Sequence, residues 1–537
     1  MLLASSVEIL QPGWLDCLQE TALSGDNVGI VGCRLRLPDG RLLQAGAFVL
    51  PDAGRALPIG SLERDVNQYA RDREVHSVSL SAAYIRRDVL DAIGSPFHAN
   101  GASLRDTDYC LAARQAGYKT FCCGSVTMVC KPTDQLVHRR GTTPQTLRPA
   151  QSDPCKKWQL FLEQRYTSSV AWQSILNFPT GYAMSCRELL RTLDAEGVRV
   201  SYSYVYGPGT VQPIQEPVIV GDDLLRVISQ RTQEDRPAVS VVFGQGDVFH
   251  RSIGRYRIGY TMLEVDGFPS EWVRQANEMD EVWVPSSFNR ETFSASGLTR
   301  PIHVMPLGVD VDHFHPAIHP FRNPRREFVF LANFEWGERK APDLLLTAFN
   351  ETFRRDEPVV LLCKVSNRDP DLSIREAVLR LGLRGPGGRI AFISNRDMPY
   401  SQLGCLYRSA DCYVAATRGE GWNMPLMEAM ACGLPAIATD WSAHLDFIDE
   451  SVAYPLRVRQ VVRAVARKPV YAGFSWADPD PEHLRALLRH VFEHQDEARD
   501  KGRRAAERVG HRWTSTHAAH RIRERLAVIT SETGSLR

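Results

Sequence analysis

The sequence predicts an α/β protein with two tandem domains built on parallel sheets, preceded by a smaller α/β segment and followed by helices. Between residues 174 and 305, and again after Pro316, short apolar runs alternate with segments of helical periodicity. Strands that alternate with helices at this spacing favour parallel sheets, and two such series favour two domains. A chain of 537 residues is also too long for one core.

The chain divides into five predicted segments: an N-terminal α/β segment, a linker, two α/β domains and C-terminal helices, at residues 1–145, 146–170, 171–315, 316–480 and 481–537. The linker is predicted because the surrounding stretch is polar, rich in proline and without periodicity. The last segment is almost entirely helical in pattern, and we expect its final helix to brace the first α/β domain.

Composition and charge exclude several classes of protein. Hydrophobic residues make up 43% and charged residues 24%, as in an ordinary globular protein, and the net charge of +1 gives no global case for nucleic-acid binding. Apolar runs are too short for a membrane span, and Glu8 interrupts the N-terminus before a signal peptide could form. The twelve cysteines lack paired zinc spacing, so we expect reduced thiols in the cytoplasm.

The richest candidate chemistry lies in residues 409–435. A predicted strand is followed by a loop in which glycines flank Glu420, and a helix then begins with Asn423 as its N-cap. Pro425 suits the first turn of that helix, and Gly433 suits its end. The loop therefore lies beyond the carboxyl end of a parallel strand, where open α/β sheets bind ligands.

The start of this helix suits a diphosphate, because its N–H groups are unpaired and carry partial positive charge. Glu428, about one turn into the helix, can accept hydrogen bonds from a ribose diol, and Glu420 can accept them from sugar hydroxyls. The neighbouring donor-binding candidates are Gly421, Asn423, Met424 and Leu426. The alternative is a solvated acidic loop followed by an ordinary helix cap.

The string Arg418-Gly-Glu-Gly-Trp-Asn-Met-Pro-Leu-Met-Glu428 resembles the E-x7-E signature of glycosyltransferase family 4. Phrases that begin at Ile302, Phe328 and Glu428 are similar to that family in the same order, and the resemblance covers roughly residues 174–530. It implies the GT-B architecture, in which two Rossmann-like domains face a cleft, the first binding mainly the acceptor and the second the nucleotide-sugar donor. It also implies retention of anomeric configuration, no metal, and deprotonation of the acceptor with help from the leaving diphosphate.

The resemblance further implies which cations neutralise the diphosphate. Arg339 and Lys340 follow the first strand of the second domain, where the family carries basic donor-phosphate residues, and with Glu420 they are the catalytic candidates. Asn333 departs from the family, which often has arginine there. Lys364, at the end of a predicted strand, is either a donor contact or a surface lysine. The alternative for Arg339 and Lys340 is likewise an exposed surface pair.

The first α/β domain supplies the remaining candidates. Thr180-Gly181-Tyr182 resembles the glycine loop of the family, where Gly181 would let the backbone approach the transferred sugar or phosphate. Tyr260 and Glu264 lie at the end of a predicted strand near the cleft and resemble the acceptor-facing edge of some members. His250 is a further acceptor-side candidate, although a lone histidine is more often structural or merely exposed.

The N-terminal segment resembles the carboxyl-terminal half of glycosyltransferase family 2, a GT-A family, through phrases such as Pro12-Gly-Trp-Leu and Asp106-Thr-Asp-Tyr. The nucleotide-binding half of that family has no counterpart here, and Ser5-Ser6-Val7-Glu8 lacks the aspartate expected at its metal site. Nothing would then neutralise a donor diphosphate. We therefore expect a degenerate, non-catalytic remnant that serves packing, acceptor positioning or oligomerisation.

The predicted function is transfer of a hexose from a nucleotide diphosphate sugar to a saccharide, lipid-linked or protein acceptor, with retention, without metal and without a cofactor. The main alternative is a non-catalytic carbohydrate-binding or scaffold protein derived from transferase modules; an epimerase or phosphorylase on the same fold is a third. Arginines between Arg503 and Arg525 allow a weak peripheral contact at the inner face of a membrane, and a solvated helix face is the alternative.

Overall fold

The computed structural model describes residues 1–53, 55–96, 105–131, 154–178, 180–210, 213–217, 221–321, 327–367 and 369–534. The chain forms two units, Met1–Thr167 and Ser168–Arg537, whose boundary falls inside the predicted linker 146–170. Residues 146–153 of that linker lie outside the described residues. The rest of it contains a helix, Pro154–Glu163, and the start of the first strand of the second unit.

The first unit is built around a mixed sheet of order β1-β8-β3-β9-β2, with β4 beside β3 and β7 beside β9. Only β3 and β9 pair in parallel among these described strands. A separate hairpin joins β5 and β6. The strands are β1 (Leu2–Leu3), β2 (Val7–Ile9), β3 (Val28–Arg36), β4 (Leu42–Gln44), β5 (Ala47–Val49), β6 (Ala56–Pro58), β7 (Arg73–Val75), β8 (Ala82–Ile85) and β9 (Lys119–Cys130). The helices are α1 (Trp14–Leu23), α2 (Arg87–Ile93), α3 (Arg105–Gln115) and α4 (Pro154–Glu163).

Cysteines of the first unit fill its core. Cys33, Cys122 and Cys123 are buried free thiols on adjacent strands β3 and β9. Burial raises the pKa of the Cys122 thiol to about 12, so it stays protonated and unreactive at neutral pH. These thiols therefore act as small core side chains.

The second unit contains both α/β domains. The first domain has an all-parallel sheet of order β11-β10-β12-β13-β14-β15. Its strands are β10 (Ser168–Ser174), β11 (Val198–Tyr204), β12 (Val239–Phe243), β13 (Tyr256–Tyr260), β14 (Glu281–Val284) and β15 (Ile302–Val304). Its helices are α5 (Gly181–Ala195), α6 (Asp223–Ser229), α7 (Ser270–Ala276) and α8 (Ser287–Ala295), with a 3-10 turn at Gly246–Arg251.

The second domain has an all-parallel sheet of order β18-β17-β16-β19-β20-β21. Its strands are β16 (Phe328–Glu335), β17 (Val359–Ser366), β18 (Arg389–Ser394), β19 (Cys412–Ala415), β20 (Ala436–Thr439) and β21 (Tyr454–Leu456). Its helices are α9 (Pro342–Thr352), α10 (Ile374–Arg380), α11 (Tyr400–Arg408) and α12 (Met424–Ala431). The prediction of two parallel α/β domains is confirmed.

Both sheets contain a point where the strand order reverses. In the second domain this point lies between β16 and β19, and in the first it lies between β10 and β12. Loops beyond the carboxyl ends of such neighbouring strands diverge and leave a crevice for a ligand. The loops after β16 and β19 are the ones that carry Arg339, Lys340 and Glu420.

Two predicted strand boundaries were wrong, one at the start of a strand and one at its end. A strand was expected to start at Ser174, but β10 ends there, and the apolar residues Ile175 and Leu176 that suggested it are buried in the loop that follows. Lys364 was expected just after a strand, but β17 continues to Ser366. In both cases burial continues across the end of the strand, so the apolar pattern does not mark the boundary.

A hairpin that the sequence analysis did not predict follows β21. Its strands are β22 (Val458–Arg463) and β23 (Ser475–Pro479), which pair antiparallel, and a 3-10 turn lies between them at Pro469–Tyr471. The hairpin reaches the first α/β domain, because the N–H of Asp266 donates to the carbonyl of Ser475 at 3.0 Å and the N–H of Ser475 donates to the Asp266 carboxylate at 2.6 Å.

The C-terminal helices are α13 (Pro481–Glu493), α14 (Gln495–Arg512) and α15 (Ser515–Gly534). The last of them braces the first α/β domain: Arg525 Nε lies 3.1 Å from Glu281 Oε2, and His520 Nε2 lies 2.8 Å from Glu196 Oε2. α13 instead packs on the second domain, where Arg489 Nη1 lies 2.5 Å from Glu357 Oε1.

Three arginines of α14 pair with carboxylates. Arg503 pairs with Asp500 and Glu507, Arg504 pairs with Asp500, and Arg508 pairs with Asp449. The peripheral membrane contact stays a prediction. Among the described residues, the helices are too short or too polar to cross a membrane.

Candidate functional site

Glu420 lies at the reversal point of the second sheet, in the loop after β19. Its carboxylate accepts a hydrogen bond from Arg339 Nη1 at 2.8 Å and from Lys340 Nζ at 2.6 Å. Both cations lie in the 3-10 turn Glu338–Lys340, which follows β16. Burial alone would raise the pKa of Glu420, but the two cations hold it at about 2. The carboxylate is therefore ionised at neutral pH despite being only 4% exposed.

Arg339 connects the two α/β domains. Its guanidinium also donates to the carbonyl of Gly419 at 2.8 Å, and its Nη2 lies 3.3 Å from Glu264 Oε1 of the first domain. The hydroxyl of Tyr471, in the hairpin, donates to Glu264 Oε2 at 2.8 Å. Glu264 was predicted on the acceptor side, at the end of a strand. It lies four residues beyond the end of β13, and the structure brings it into the same network as Glu420.

The surroundings shift the pKa values of the two cations in opposite directions. Burial disfavours the charged form of Arg339, yet Glu264 and Glu420 together raise its pKa well above the usual value. For Lys340 burial dominates, and its pKa is lowered even though Glu420 acts in the opposite direction. Arg339 is thus a fixed cation, whereas burial weakens the preference of Lys340 for its charged form.

The glycines around Glu420 permit a close approach between the domains. A Cβ atom at Gly419 would lie 2.1 Å from the carbonyl oxygen of Glu264, and one at Gly421 would lie 2.6 Å from Cγ of Met262. Since real Cβ atoms do not approach so closely, neither position accommodates a side chain without movement of the loop. Gly421 therefore has a packing role here, in addition to the donor contact predicted for it.

Asn423 caps α12, as predicted from the sequence. Its side chain accepts the N–H of Leu426 at 3.2 Å, and its backbone has φ of 83°. Its Nδ2 lies 2.9 Å from Nε2 of the buried His444, whose Nδ1 lies 2.8 Å from the carbonyl of Thr439. Gly433, with φ of 81°, ends the helix as expected.

The donor-binding role of Leu426 stays a prediction. Its side chain is fully buried in the core, and its backbone N–H is already bound by Asn423. Met424, the first residue of α12, is half-buried and lies at the helix start. Among the two apolar candidates of this helix, only Met424 remains accessible to a ligand.

Glu428 lies in the second turn of α12 and belongs to a different hydrogen-bond chain from Glu420. Its Oε2 accepts from the hydroxyl of Tyr407 at 2.8 Å, and that hydroxyl in turn accepts from Asn333 Nδ2 at 3.1 Å. Burial raises the pKa of Glu428 to about 7, although Tyr407 and Lys364 act to lower it. Asn333 is thus a neutral donor that reaches Glu428 through Tyr407.

Lys364 is half-buried within β17, and its charge interacts with Glu428 and Asp397. Burial lowers the pKa of this lysine, and both carboxylates act to raise it. A lysine on a freely solvated surface would not be desolvated in this way. Lys364 is thus a partly desolvated lysine beside Glu428, and its donor contact stays a prediction.

The first α/β domain contributes an open glycine. Gly181 is the first residue of α5, whose N-cap Thr180 accepts the N–H of Ala183 at 3.0 Å. A Cβ atom at Gly181 would meet nothing within 4 Å, so space lies in front of this backbone. The neighbouring Tyr182 hydroxyl accepts the N–H of Met262 at 3.2 Å, which fixes the loop that precedes Glu264.

Two acceptor-side predictions in this domain do not reach the network. Tyr260 is fully buried, and its hydroxyl donates to the carbonyl of Met305. A tyrosine at the end of a central parallel strand faces helices on either side, which explains this core position. His250 is exposed in a 3-10 turn, where its Nδ1 lies 3.0 Å from Oε1 of Gln275, apart from Glu420 and Arg339.

Several residues of the site were not predicted. Tyr471 binds Glu264, Ser442 Oγ accepts the N–H of Glu420 at 3.0 Å, and His444 binds Asn423. Ser442 and His444 lie in a short 3-10 turn after β20, and the end of a parallel strand next to β19 was the signal that could have indicated them. The sequence carries no comparable signal for Tyr471, which lies in the hairpin that was not predicted.

The described residues contain no group of three or more His, Cys, Asp or Glu side chains that could hold a metal ion. The carboxylates of the site are instead bound by Arg339, Lys340, Tyr407 and Tyr471. The site thus presents cations of the protein itself, a buried ionised carboxylate and a helix N-terminus.

Comparison with known proteins identifies the second α/β domain. Residues 325–468 match the family model of glycosyl transferases group 1. This match includes Arg339, Lys340, Glu420 and Glu428. The resemblance of the first unit to glycosyltransferase family 2 stays a prediction.

Curated relatives match a similar part of the chain. Mannosylfructose-phosphate synthase of Agrobacterium fabrum is 30% identical over 157 residues, which are 27% of this chain and 34% of that protein. Phosphatidyl-myo-inositol mannosyltransferase of Mycobacterium tuberculosis is 34% identical over 146 residues, 26% of this chain and 35% of that protein. The chain therefore spans about a third of the length of these relatives.

A solved structure extends the likeness in fold. Sucrose-phosphate synthase from Thermosynechococcus elongatus superposes with a TM-score of 0.50 at 15% identity, covering 68% of this chain and 100% of that one. At this identity the likeness concerns the fold alone. Together with the two parallel sheets it confirms the GT-B architecture, with two Rossmann-like domains.

Proposed function

We propose that the chain is a retaining glycosyltransferase that moves a hexose from a nucleotide diphosphate sugar to a saccharide, lipid-linked or protein acceptor without a metal ion. The observation that supports it best is the meeting of Arg339, Lys340 and Glu420 at the reversal point of the second sheet. The mannosyl groups named in the relatives of Agrobacterium and Mycobacterium favour a hexose as the transferred sugar.

In this proposal the donor diphosphate lies at the start of α12, between its N–H groups and the side chains of Arg339 and Lys340. Glu428 accepts hydrogen bonds from the ribose diol, and Glu420 accepts them from the sugar. The acceptor oxygen forms a bond to the anomeric carbon as the bond from that carbon to the diphosphate breaks. The acceptor proton passes to the departing diphosphate, and the cations stabilise the negative charge that develops there.

The proposal is tested by thermal shift of the full chain with UDP and GDP in the presence of a chelator. A ligand that binds the native state raises Tm, so we expect one of the two to stabilise the protein without divalent metal. Nucleotide sugars are then screened for release of that nucleotide, and NMR of the product gives the anomeric configuration. Lys340→Ala should abolish both the release and most of the stabilisation.

The contrary outcomes separate the alternatives. If neither nucleotide shifts Tm, the carbohydrate-binding or scaffold alternative replaces the enzyme. If the shift requires a divalent ion, metal independence is wrong. An inverted product would contradict retention, and full turnover by Lys340→Ala would contradict its catalytic role.

A further inference from the structure

A cavity of about 840 Å³ lies beside the Glu420 network, between the hairpin β22–β23, α10 and the loop after β16. We call it the hairpin pocket. Pockets of this size hold ligands larger than a single sugar ring. Arg339, Lys340 and Tyr471 line it, so it borders the residues that hold Glu420 and Glu264. Among the described residues, α12 and Lys364 contribute nothing to its wall.

One wall of the hairpin pocket is aromatic. Trp336 follows β16, and Tyr471 and Trp476 belong to the hairpin, with their ring centroids 5.9 Å apart. Flat aromatic side chains present apolar faces against which the C–H faces of sugar rings can pack. Tyr471 and Trp476 are themselves buried, so the partly exposed Trp336 offers this face. Carboxylates of Asp369 and Asp478 also line the pocket and can accept hydrogen bonds from hydroxyls.

The rim of the hairpin pocket carries cations of two kinds, those paired with carboxylates and those without a carboxylate partner in the described part of the chain. Arg467 is paired with Asp369 at 2.6 Å, and Lys468 lies 3.7 Å from Glu335. In the described part of the chain, by contrast, Arg380 and Arg463 have no carboxylate partner, and Arg463 binds only the carbonyl of Gly473. Two exposed guanidinium groups are therefore available for a ligand that carries negative charge.

We propose that the hairpin pocket is the acceptor subsite and takes a saccharide with an anionic substituent, a carboxylate or a phosphate. The inference rests on the proposed function, because only a transferase has an acceptor. Arg380 and Arg463 bind the anionic group, Trp336 packs on a sugar ring, and Arg339 connects the bound chain to the reaction centre. A nucleoside diphosphate is the competing occupant, because Arg339 and Lys340 also line this wall; the N-terminus of α12, which the proposed donor site requires, does not.

The test measures binding of three probes to the full chain by calorimetry: a hexuronate tetrasaccharide, a hexose 6-phosphate and a neutral hexose tetrasaccharide. We expect at least one anionic probe to bind and the neutral one to bind more weakly. Arg380→Gln and Arg463→Gln should each weaken anionic binding about tenfold, the loss typical of one charge-assisted hydrogen bond. Arg375→Gln is the matched control, because Arg375 is exposed on the same helix and does not line the pocket.

Saturating UDP or GDP should leave this binding in place. Displacement of the anionic probe by a nucleotide would assign the pocket to the donor, and equal binding of the neutral probe would remove the anionic requirement. Absence of binding by all three, or equal losses in Arg375→Gln and Arg380→Gln, would overturn the proposal. Which anionic probe binds distinguishes a uronate from a phosphate.

If the proposed function is wrong, the binding experiments give a different set of results. In that case no nucleoside diphosphate binds, while anionic saccharides still bind through Arg380. If the enzyme is active, Arg380→Gln should raise the KM for the acceptor and leave kcat and the hydrolysis of the donor unchanged. A fall in donor hydrolysis in this variant would show that the pocket does not serve the acceptor alone.

Discussion

Arg339 of the second α/β domain binds carboxylates of both domains, because its Nη1 lies 2.8 Å from Glu420 Oε2 and its Nη2 lies 3.3 Å from Glu264 Oε1. Without ligand, the guanidinium is therefore shared between two anions. A donor diphosphate in the proposed site has to compete with them for this cation. Glu264 of the first domain thus partly neutralises the charge of Arg339 in the second domain.

Glu264→Gln should increase the affinity for a nucleoside diphosphate about fivefold, or by about 1 kcal/mol, because one of the two competing charges is removed. Titration calorimetry with UDP and GDP in a chelator measures the change. Glu271→Gln is the control, since Glu271 is exposed in the same domain and pairs only with Arg274 and Gln275. Weaker or unchanged binding by Glu264→Gln would show that Glu264 does not compete with the ligand.

Glu420 should stabilise the fold at neutral pH. Its pKa of about 2 lies below the usual 4.5, so its ionised form is favoured on folding. The stability it contributes is present above about pH 4.5 and is lost as pH falls towards 2; the difference corresponds to about 3 kcal/mol. We expect Glu420→Gln to lower the free energy of unfolding by about that amount at pH 7 and by much less at pH 3. Denaturant titration at both values checks this, and an equal loss at both would contradict it.

Glu428, eight residues away, should have the opposite effect. Burial raises its pKa from the usual 4.5 to about 7, so ionisation opposes folding. The cost is absent below about pH 4.5 and complete above pH 7, where it amounts to about 3 kcal/mol. Glu428→Gln should therefore be more stable than the wild type at pH 8 and equal to it at pH 4, while it binds the donor less tightly. A variant that is destabilised at pH 8 would show that the carboxylate makes contacts that outweigh its burial.

Much of the second domain follows from local sequence. Gly419, Gly421, Asn423, Pro425 and Gly433 each mark a turn, a cap or a helix end, and the structure places the loop and α12 where these residues predict them. Such residues act through their own backbone conformation, so their effect is visible without knowledge of the fold. This is why the positions of Glu420 and of the Asn423 cap could be derived from the sequence.

The contacts between domains could not be derived in this way. The pairing of Glu264 with Arg339 and Tyr471 joins three segments that are far apart in sequence, and it depends on how the hairpin packs against residues 266–267. The burial of Tyr260 was likewise not foreseen, because it depends on the cover of both faces of β13. The hairpin itself gave no clear signal, because β22 reads Val-Arg-Gln-Val-Val-Arg without a regular alternation of apolar and polar residues.

The conformation of Asn423 predicts a difference between two substitutions. With φ of 83° it lies in the left-handed region, which costs alanine about 1 kcal/mol more than glycine. Both Asn423→Ala and Asn423→Gly lose the cap and the contact with His444, but only alanine adds this strain. Asn423→Ala should lower stability by about 2 kcal/mol and Asn423→Gly by about half as much. Denaturant unfolding compares the two, and equal losses would mean that the backbone relaxes out of this region.

Gly419 provides the sharpest test of the contact between the domains. A Cβ atom there would lie 2.1 Å from the carbonyl oxygen of Glu264 and 2.8 Å from the ring of Trp441. Because a backbone carbonyl cannot rotate away as a side-chain tip can, Gly419→Ala has to push the Glu420 loop away from the first domain. We expect Tm to fall, the Arg339–Glu264 pair to break and turnover to drop at least about tenfold, since a misplacement near 1 Å can cost about a hundredfold.

The matched control for Gly419 is Gly337, which precedes Arg339 in the same site. A Cβ atom at Gly337 would meet nothing within 4 Å, and its φ of 174° is extended backbone that any residue adopts. Gly337→Ala should therefore keep the Tm and turnover of the wild type. If both variants behave alike, the close approach of the domains at Gly419 is not needed for activity. If only Gly419→Ala is impaired, the reaction requires the Glu420 loop to lie against Glu264, as it does in this structure.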